Sequence, residues 1–247
     1  MDIKFNEIKN KNLNVDEIKM SADKLINKRG KSVSYPLMQT SYIYLIVGPS
    51  GSGKTNLLIN LLKKKKRGVD GSHTSYHGMY DNIVVVSPSL HTIKNNIFDT
   101  IDNNKIFKSL TTEVFDKVDD LISDDEHTLL ILDDVSSQLK NKDILQDLNI
   151  YQKNRRHKNL SIIIILHKLV DAPTTIRNNA NLIFLFRPKN KKEIEFIYDE
   201  FLTIPRNDYL NMLDFIFKSK HDFMIIDQSM RQGSKFEFFR NFNLIEF

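Results

Sequence analysis

Apolar positions along the chain come in two rhythms. Short dense runs occur at Tyr42–Val47, Ile83–Val86, Thr128–Leu132, Ser161–Leu166 and Leu182–Phe186. Their length suits strands buried on both faces. Between them, apolar residues recur at helical spacing. Leu57, Leu58, Leu61 and Leu62 form one stripe; Ile194, Ile197, Tyr198 and Phe201 form another, and Tyr209, Met212, Leu213 and Ile216 a third. Thr111–Ile122 and Lys142–Asn154 are likewise expected to be amphipathic helices. The first stripe runs into Lys63–Arg67 and Gly68, which predicts a helix whose last turn carries the lysines and whose stop is the glycine. Near the end, Phe223–Ile226 and Phe236–Phe239 flank a turn containing Gly233 and suggest an antiparallel hairpin on a sheet edge. Buried strands alternating with helices predict an α/β fold, a mainly parallel sheet with helices on both faces. Residues 1–41 show no strong periodicity and are expected to be an N-terminal arm, with residues 42–247 as the domain.

Composition narrows the function classes. A chain of 247 residues, 40% hydrophobic, can build one domain with a proper core. With no cysteine, disulfide scaffolds, Cys-ligated metal centres and cysteine catalysis are excluded. No apolar run approaches the ~18 residues of a membrane span, and Met1–Asn14 lacks the apolar core of a secretory signal, so a soluble intracellular protein is expected. The net charge of +5 favours polyanionic partners only weakly. Lysine outnumbers arginine 27 to 9, and 29 Ile and 24 Asn point to AT-rich coding.

One segment carries specific chemistry. Gly48-Pro49-Ser50-Gly51-Ser52-Gly53-Lys54-Thr55 matches the phosphate-binding loop G-x-x-x-x-G-K-[ST]. Glycines allow successive backbone N–H groups to face a phosphate at a helix N-terminus. Lys54 would reach the β- and γ-phosphates of ATP, and the Thr55 hydroxyl would ligate Mg²⁺. The apolar strand ending in Asp133-Asp134 is the expected second element. Asp133 would hold Mg²⁺ through water, and Asp134 would polarise the attacking water. In the additional-strand class of such ATPases, a strand inserted between these two ends beside the γ-phosphate, where a polar sensor residue sits; His167 occupies that position after Ser161–Leu166.

Basic clusters are more ambiguous. Arg155 and Arg156 lie in the run Lys153–Lys158, and a guanidinium there could act in trans in a neighbouring subunit, with Arg156 slightly favoured and Arg177 as the fallback. Runs of this kind are more often solvated surface. The same holds for Lys63–Arg67, either a solvated helix end or a contact to a DNA backbone.

Together these segments resemble the poxvirus-type DNA-packaging ATPases of large DNA viruses and virophages, within the FtsK–HerA superfamily. The resemblance lies in Tyr44–Leu62, in Thr128–Val135 with LLILDDV, in Arg156–Leu166 with RHKNLSIIIIL, and in the spacing of His167, Pro173 and Ile176-Arg177-Asn178; it spans about Tyr42–Phe201. That family usually has Gln where this chain has His167. The resemblance implies a phosphate-loop NTPase sandwich of three layers, RecA/FtsK-like, acting as a Mg²⁺-dependent ATPase. It further implies a homo-oligomeric ring, pentamer or hexamer, that moves double-stranded DNA into a preformed capsid and engages vertex or portal-like proteins. Such a motor would work in the host-cell cytoplasm, at the virus factory, and in the virion. The AT-rich coding suits a virophage or giant virus. The alternatives are a helicase-type nucleic-acid-dependent ATPase, a small-molecule phosphotransferase and a nucleotide-gated scaffold. The phosphotransferase is disfavoured by the scatter of Arg206, Arg231 and Arg240, and the scaffold by the paired acids.

Overall fold

Runs of five or more residues buried on both faces can sit only in the middle of a sheet covered on either side. The computed structural model, which describes residues 33–89, 97–202, 204–229 and 237–246, places them there. Strands β1 (Ile43–Val47), β2 (Asn82–Val86), β3 (Ile106–Phe107), β4 (Thr128–Asp133), β5 (Leu160–Leu166), β6 (Leu182–Phe186), β7 (Phe223–Asp227), β8 (Glu237–Arg240) and β9 (Asn243–Ile245) form one sheet. Its order is β3-β2-β4-β5-β1-β6-β7-β8-β9. From β3 to β6 every pairing is parallel, and from β6 onward every pairing is antiparallel. The additional strand, β5, lies between β1 and β4 as expected, with Ile164 opposite both Leu45 and Leu132.

Alternation along the strands sends side chains into two cores. Ile43, Leu45, Val47, Ile162, Ile164 and Leu166 face a layer built from α2 (Thr112–Leu121), α3 (Lys142–Asn154), α4 (Thr174–Asn179), α5 (Lys191–Phe201) and α6 (Arg206–Ile216). Tyr42, Tyr44, Ile46, Ile163 and Ile165 face α1 (Lys54–Leu62). Among the described residues, α1 is the one α-helix in that core, supplemented by Phe98 of the 3-10 turn Ile97–Thr100 and by loop residues Val33, Leu37, Tyr76 and Met79. Four tyrosines stitch these loops to β1. The Tyr42 and Tyr80 hydroxyls meet, those of Tyr44 and Tyr76 lie 2.7 Å apart, and Tyr76 donates to the Met38 carbonyl at 2.6 Å. Phenols suit this layer because each buried hydroxyl finds a partner.

Two expectations need correction. First, α1 stops at Leu62, so Lys63–Arg67 do not lie in its last turn. Lys63 is extended, its N–H bonding back to the Ile59 carbonyl. The chain then doubles back, and Tyr76 N–H reaches the Leu61 carbonyl at 2.7 Å. Tertiary burial of Tyr76 thus overrides the helical propensity of the lysines. Gly68 serves this return, pairing with Ser72 rather than closing the helix. Second, the terminal pair forms the expected antiparallel hairpin, β7 with β8, but β9 pairs outside β8 and takes the edge. Gly233 and Phe236 lie outside the described residues, as do residues 1–32 of the proposed arm. Among the described residues, no helix is long and apolar enough to cross a membrane.

Candidate active site

The site is built at the carboxyl ends of β1, β4 and β5. Gly48 N–H bonds to the Leu166 carbonyl at 3.2 Å, and Asp134 N–H to the Ile165 carbonyl at 3.2 Å. The last two residues of β5 therefore anchor the phosphate loop on one side and the carboxylate turn on the other. Local backbone demands explain the glycines. Gly51 and Gly53 adopt φ of +72° and +116°, a region that L side chains rarely enter. At Gly48 the need is space, since an added Cβ would stand 2.6 Å from the Phe186 Cβ. Gly53 then starts α1, whose first residue is Lys54.

Lys54 is buried, and its Nζ donates to the carbonyls of Gly48 at 2.7 Å and Pro49 at 3.1 Å. Burial lowers its pKa, an effect opposed by the charges of Asp133 and Asp134. Ser52 Oγ is buried within the loop without a hydrogen-bond partner among the described residues. A loop of inward-facing donors at a helix N-terminus, with an ammonium beside it, is suited to a polyphosphate.

Asp133 is the last residue of β4, and its Oδ2 accepts from Ser87 Oγ at 2.9 Å. Burial pushes its carboxyl above the usual range; Asp134 adds to this, while the Ser87 bond, Lys54 and His167 oppose it. Asp134 follows with φ of +56°. Aspartate tolerates this left-handed region better than most residues, and the turn aims its exposed carboxylate away from the strand. Its Oδ1 lies 3.4 Å from His167 Nε2. All three side chains, with Ser50, Gly51, Gly53, Lys54, Thr55 and Ser89, line a cavity of about 450 Å³. The structure thus brings together the loop, both acids and His167. Hard oxygens from Thr55 and Asp133 fit Mg²⁺, which takes one or two protein ligands beside phosphate oxygens. Among the described residues, no group of three His, Asp or Glu side chains is arranged to hold a metal ion.

The arginines lie elsewhere. Arg155 and Arg156 precede β5, so the strand's length of roughly 20 Å separates them from their own phosphate loop. Arg155 is committed: Nε donates to the Ser41 carbonyl at 2.8 Å and Nη1 to the Gln152 carbonyl at 2.7 Å. It would have to break both bonds to act in another subunit. Arg156 is exposed. Arg177 is buried, pairing with Glu200 at 2.6 Å and with the Ala172 carbonyl, which makes it a bracket between α4 and α5. Lys63–Arg67 are all exposed and follow the end of α1, and Lys65 borders a recess that also reaches Gly53 and Asn56.

Sequence inspection missed Ser87 and His221. Ser87 follows β2, whose Val86 is opposite Leu132, so the next step of that register sets the serine beside Asp133. Its signal was a polar residue ending a buried strand, informative only once β2 and β4 are neighbours. His221 Nδ1 lies 2.8 Å from the Ser52 carbonyl, bracing the phosphate loop from a segment 169 residues away. No local pattern marks it.

The AAA domain family matches residues 37–171. Protein 075L of Invertebrate iridescent virus 6 is 26% identical over 163 residues, covering 62% of this chain, and protein 015R of Frog virus 3 is 23% identical over 198 residues, covering 76%. In both, the matched stretch spans 57% of the relative's own length. Among solved structures, B204, the DNA-packaging ATPase of Sulfolobus Turreted Icosahedral Virus, superposes with a TM-score of 0.57 at 15% identity, over 81% of this chain and 98% of B204. B204 of Sulfolobus turreted icosahedral virus 2, in complex with ATP-gammaS, gives a TM-score of 0.51 at 15% identity, over 81% and 98%.

Proposed function

Since the chain belongs to the AAA domain family, with phosphate loop and paired acids both inside the matched residues 37–171, we propose that it is an ATP-hydrolysing motor moving double-stranded DNA into a preformed viral capsid. One observation carries the chemistry: β5 inserts between the loop strand and the carboxylate strand and ends with His167 3.4 Å from Asp134, facing the cavity that Lys54 lines. The fold shared with B204, named for DNA packaging, supports the biological role, as do the viral relatives.

In this reading the loop amides and Lys54 hold the β- and γ-phosphates of ATP. Thr55 and Asp133 would hold Mg²⁺, which supplies charge neutralisation on the phosphate oxygens. Asp134, exposed at the cavity, accepts a proton or hydrogen bond from the attacking water. The His167 imidazole, 3.4 Å from Asp134, orients that water, the task of the Gln usual in the resembling family. Arg156, exposed at the opposite end of the sheet, would serve a neighbouring subunit in a homo-oligomeric ring. Capsid vertex or portal-like proteins would receive that ring at the virus factory and in the virion.

The test is the ATPase rate with and without duplex DNA at several protein concentrations. Mg²⁺-dependent turnover, stimulated by duplex and rising more steeply than linearly with protein, is the expected result. No turnover under any condition would overturn the enzyme assignment. Unwinding in a strand-displacement assay, with no duplex translocation, would favour a helicase-type ATPase instead.

A further inference from the structure

Ser52, in the middle of the phosphate loop, is buried. A buried carbonyl needs a partner, and that of Ser52 is met from outside the loop by His221 Nδ1 at 2.8 Å. A carbonyl only accepts, so Nδ1 carries the proton and donates it. Across the same peptide bond stands Gly53, with φ of +116°. Gly53 borders two spaces. One is the cavity that Lys54 lines; the other is a recess of about 300 Å³ where His221 stands with Asn56, Lys65 and Phe223. In a trans peptide the C=O and N–H point in opposite directions. An oxygen drawn to His221 in the recess therefore turns the Gly53 N–H toward the phosphate cavity.

That orientation has to be held, because the peptide is free to turn over. The anchors on either side belong to the neighbouring peptide units: Ser52 N–H donates to the Pro49 carbonyl at 3.2 Å, and the Gly53 carbonyl accepts from Leu57 N–H at 2.8 Å. Glycine takes φ of either sign, so the unit between these anchors can rotate while its neighbours stay in place. Rotated, it would present a carbonyl oxygen to an anion.

His221 is itself aimed by the C-terminal strands. It precedes β7, and the next residue, Asp222, is buried. Asp222 Oδ2 accepts from Ser219 N–H at 2.7 Å and from Arg240 at 3.1 Å, and its Oδ1 accepts from Asn241 Nδ2 at 2.6 Å. Asn241 Oδ1 in turn accepts from Phe223 N–H at 2.9 Å. Residues on both sides of His221 are thereby pinned to β8 and the turn after it. Gly53 completes the fit, since an added Cβ would stand 3.3 Å from His221 Nδ1.

We propose that His221 is a positioning residue for phosphate binding. By holding the Ser52 carbonyl it fixes the Gly53 N–H as a donor to the phosphates, and β7 and β8 serve to aim it. The inference rests on the nucleotide reading above and deepens it. A loop amide grips the phosphates before and during reaction alike, so its loss raises KM and leaves kcat nearly unchanged.

Calorimetric titration of inorganic tripolyphosphate and steady-state ATPase kinetics, both on the full chain, test this. His221→Leu keeps bulk but has no donor. It should weaken tripolyphosphate binding about 10- to 100-fold, the worth of one hydrogen bond to a charged group. KM for ATP should rise by the same factor, with kcat within about twofold of wild type. His221→Ala should behave alike. His221→Asn should restore both quantities, because its amide nitrogen donates from the same number of bonds beyond Cα as Nδ1. Unchanged tripolyphosphate affinity in the leucine and alanine variants, whether or not the melting temperature falls, would overturn the proposal. So would a loss confined to ATP, which would mean direct contact with the nucleoside, or a loss in His221→Asn equal to that in His221→Leu. Wild-type tripolyphosphate affinity in Lys54→Ala would instead remove the nucleotide reading on which the proposal rests.

Discussion

Asp133 carries a carboxyl that folding makes harder to ionise, and this has a measurable sign. Burial raises its pKa above the value near ~3.9 that it has in an unfolded chain. Between those two values the folded protein holds a proton that the unfolded chain has lost, so stability falls as pH rises through that window and stays lower above it. At neutral pH, Asp133→Asn should therefore raise the melting temperature of the nucleotide-free protein while weakening its Mg²⁺ dependence. A thermal melt of the two proteins at pH 8, above the window, checks it. Asp134 differs. Asparagine tolerates its φ of +56° as aspartate does, so Asp134→Asn removes the carboxylate without disturbing the turn. ATP should still bind, and turnover should fall by about 10²–10⁴, the usual worth of a general base. Lys54→Ala should lose binding and turnover together, to under about one tenth of wild type, with the fold intact by circular dichroism. At His167, a glutamine side chain likewise offers one donor and one acceptor. If the imidazole orients the attacking water, His167→Gln should keep most of the turnover and His167→Ala should lose it; wild-type turnover in His167→Ala would remove His167 from the mechanism.

The decisive element is β5. Ile164 is fully buried against Leu45 and Leu132, and the carbonyls of the next two residues, Ile165 and Leu166, fasten Asp134 and Gly48. Ile164→Ala should cost about 2–5 kcal/mol in urea unfolding, the range for removing a packed aliphatic side chain. Ile150→Ala on α3 is the matched control: that side chain is 47% exposed, and its loss should fall within about 0.5 kcal/mol. The strand itself was legible because a run of isoleucines buried on both faces reads as a central strand. Its neighbours were not legible from the run, since each of its residues could pair equally well with β2 or β6; the inserted position followed from the class of motif. The shortest elements, β3 with two residues and β9 with three, exist because neighbouring strands offer free hydrogen-bonding edges, which their own sequences do not announce.

At the scale of the whole molecule, charge and assembly matter most. Arg156 is exposed at the end of the sheet opposite the phosphate loop, so a ring that stacks this end against a neighbour's loop would place Arg156 near the neighbour's phosphates. In mixed rings, Lys54→Ala subunits should then rescue Arg156→Ala subunits, since each supplies what the other lacks; no gain in rings shown to be mixed would leave Arg156 a surface residue. Arg155→Ala tests a different effect. It should lower stability by freeing the Ser41 and Gln152 carbonyls, whether or not a ring forms. Duplex binding should weaken with salt at a log–log slope of about −0.9 per phosphate contact, and neutralising Lys63–Arg67 should reduce that slope if the run touches DNA.

What the chain encodes locally was available without any coordinates. The spacing from Gly48 to Thr55, the apolar run ending in Asp133-Asp134 and the helical stripes each derive from near neighbours, whose steric and hydrogen-bonding demands act within a few residues. Assignments that required distant partners had to await the fold. Ser87 joined the site only because β2 lies beside β4, and His221 only because β7 follows β6 back past the loop. The same physics ended α1 before its lysines and separated Arg155, held by two carbonyls, from exposed Arg156. Local pattern determines which residues can do chemistry; burial and pairing over long sequence separations decide which of them meet.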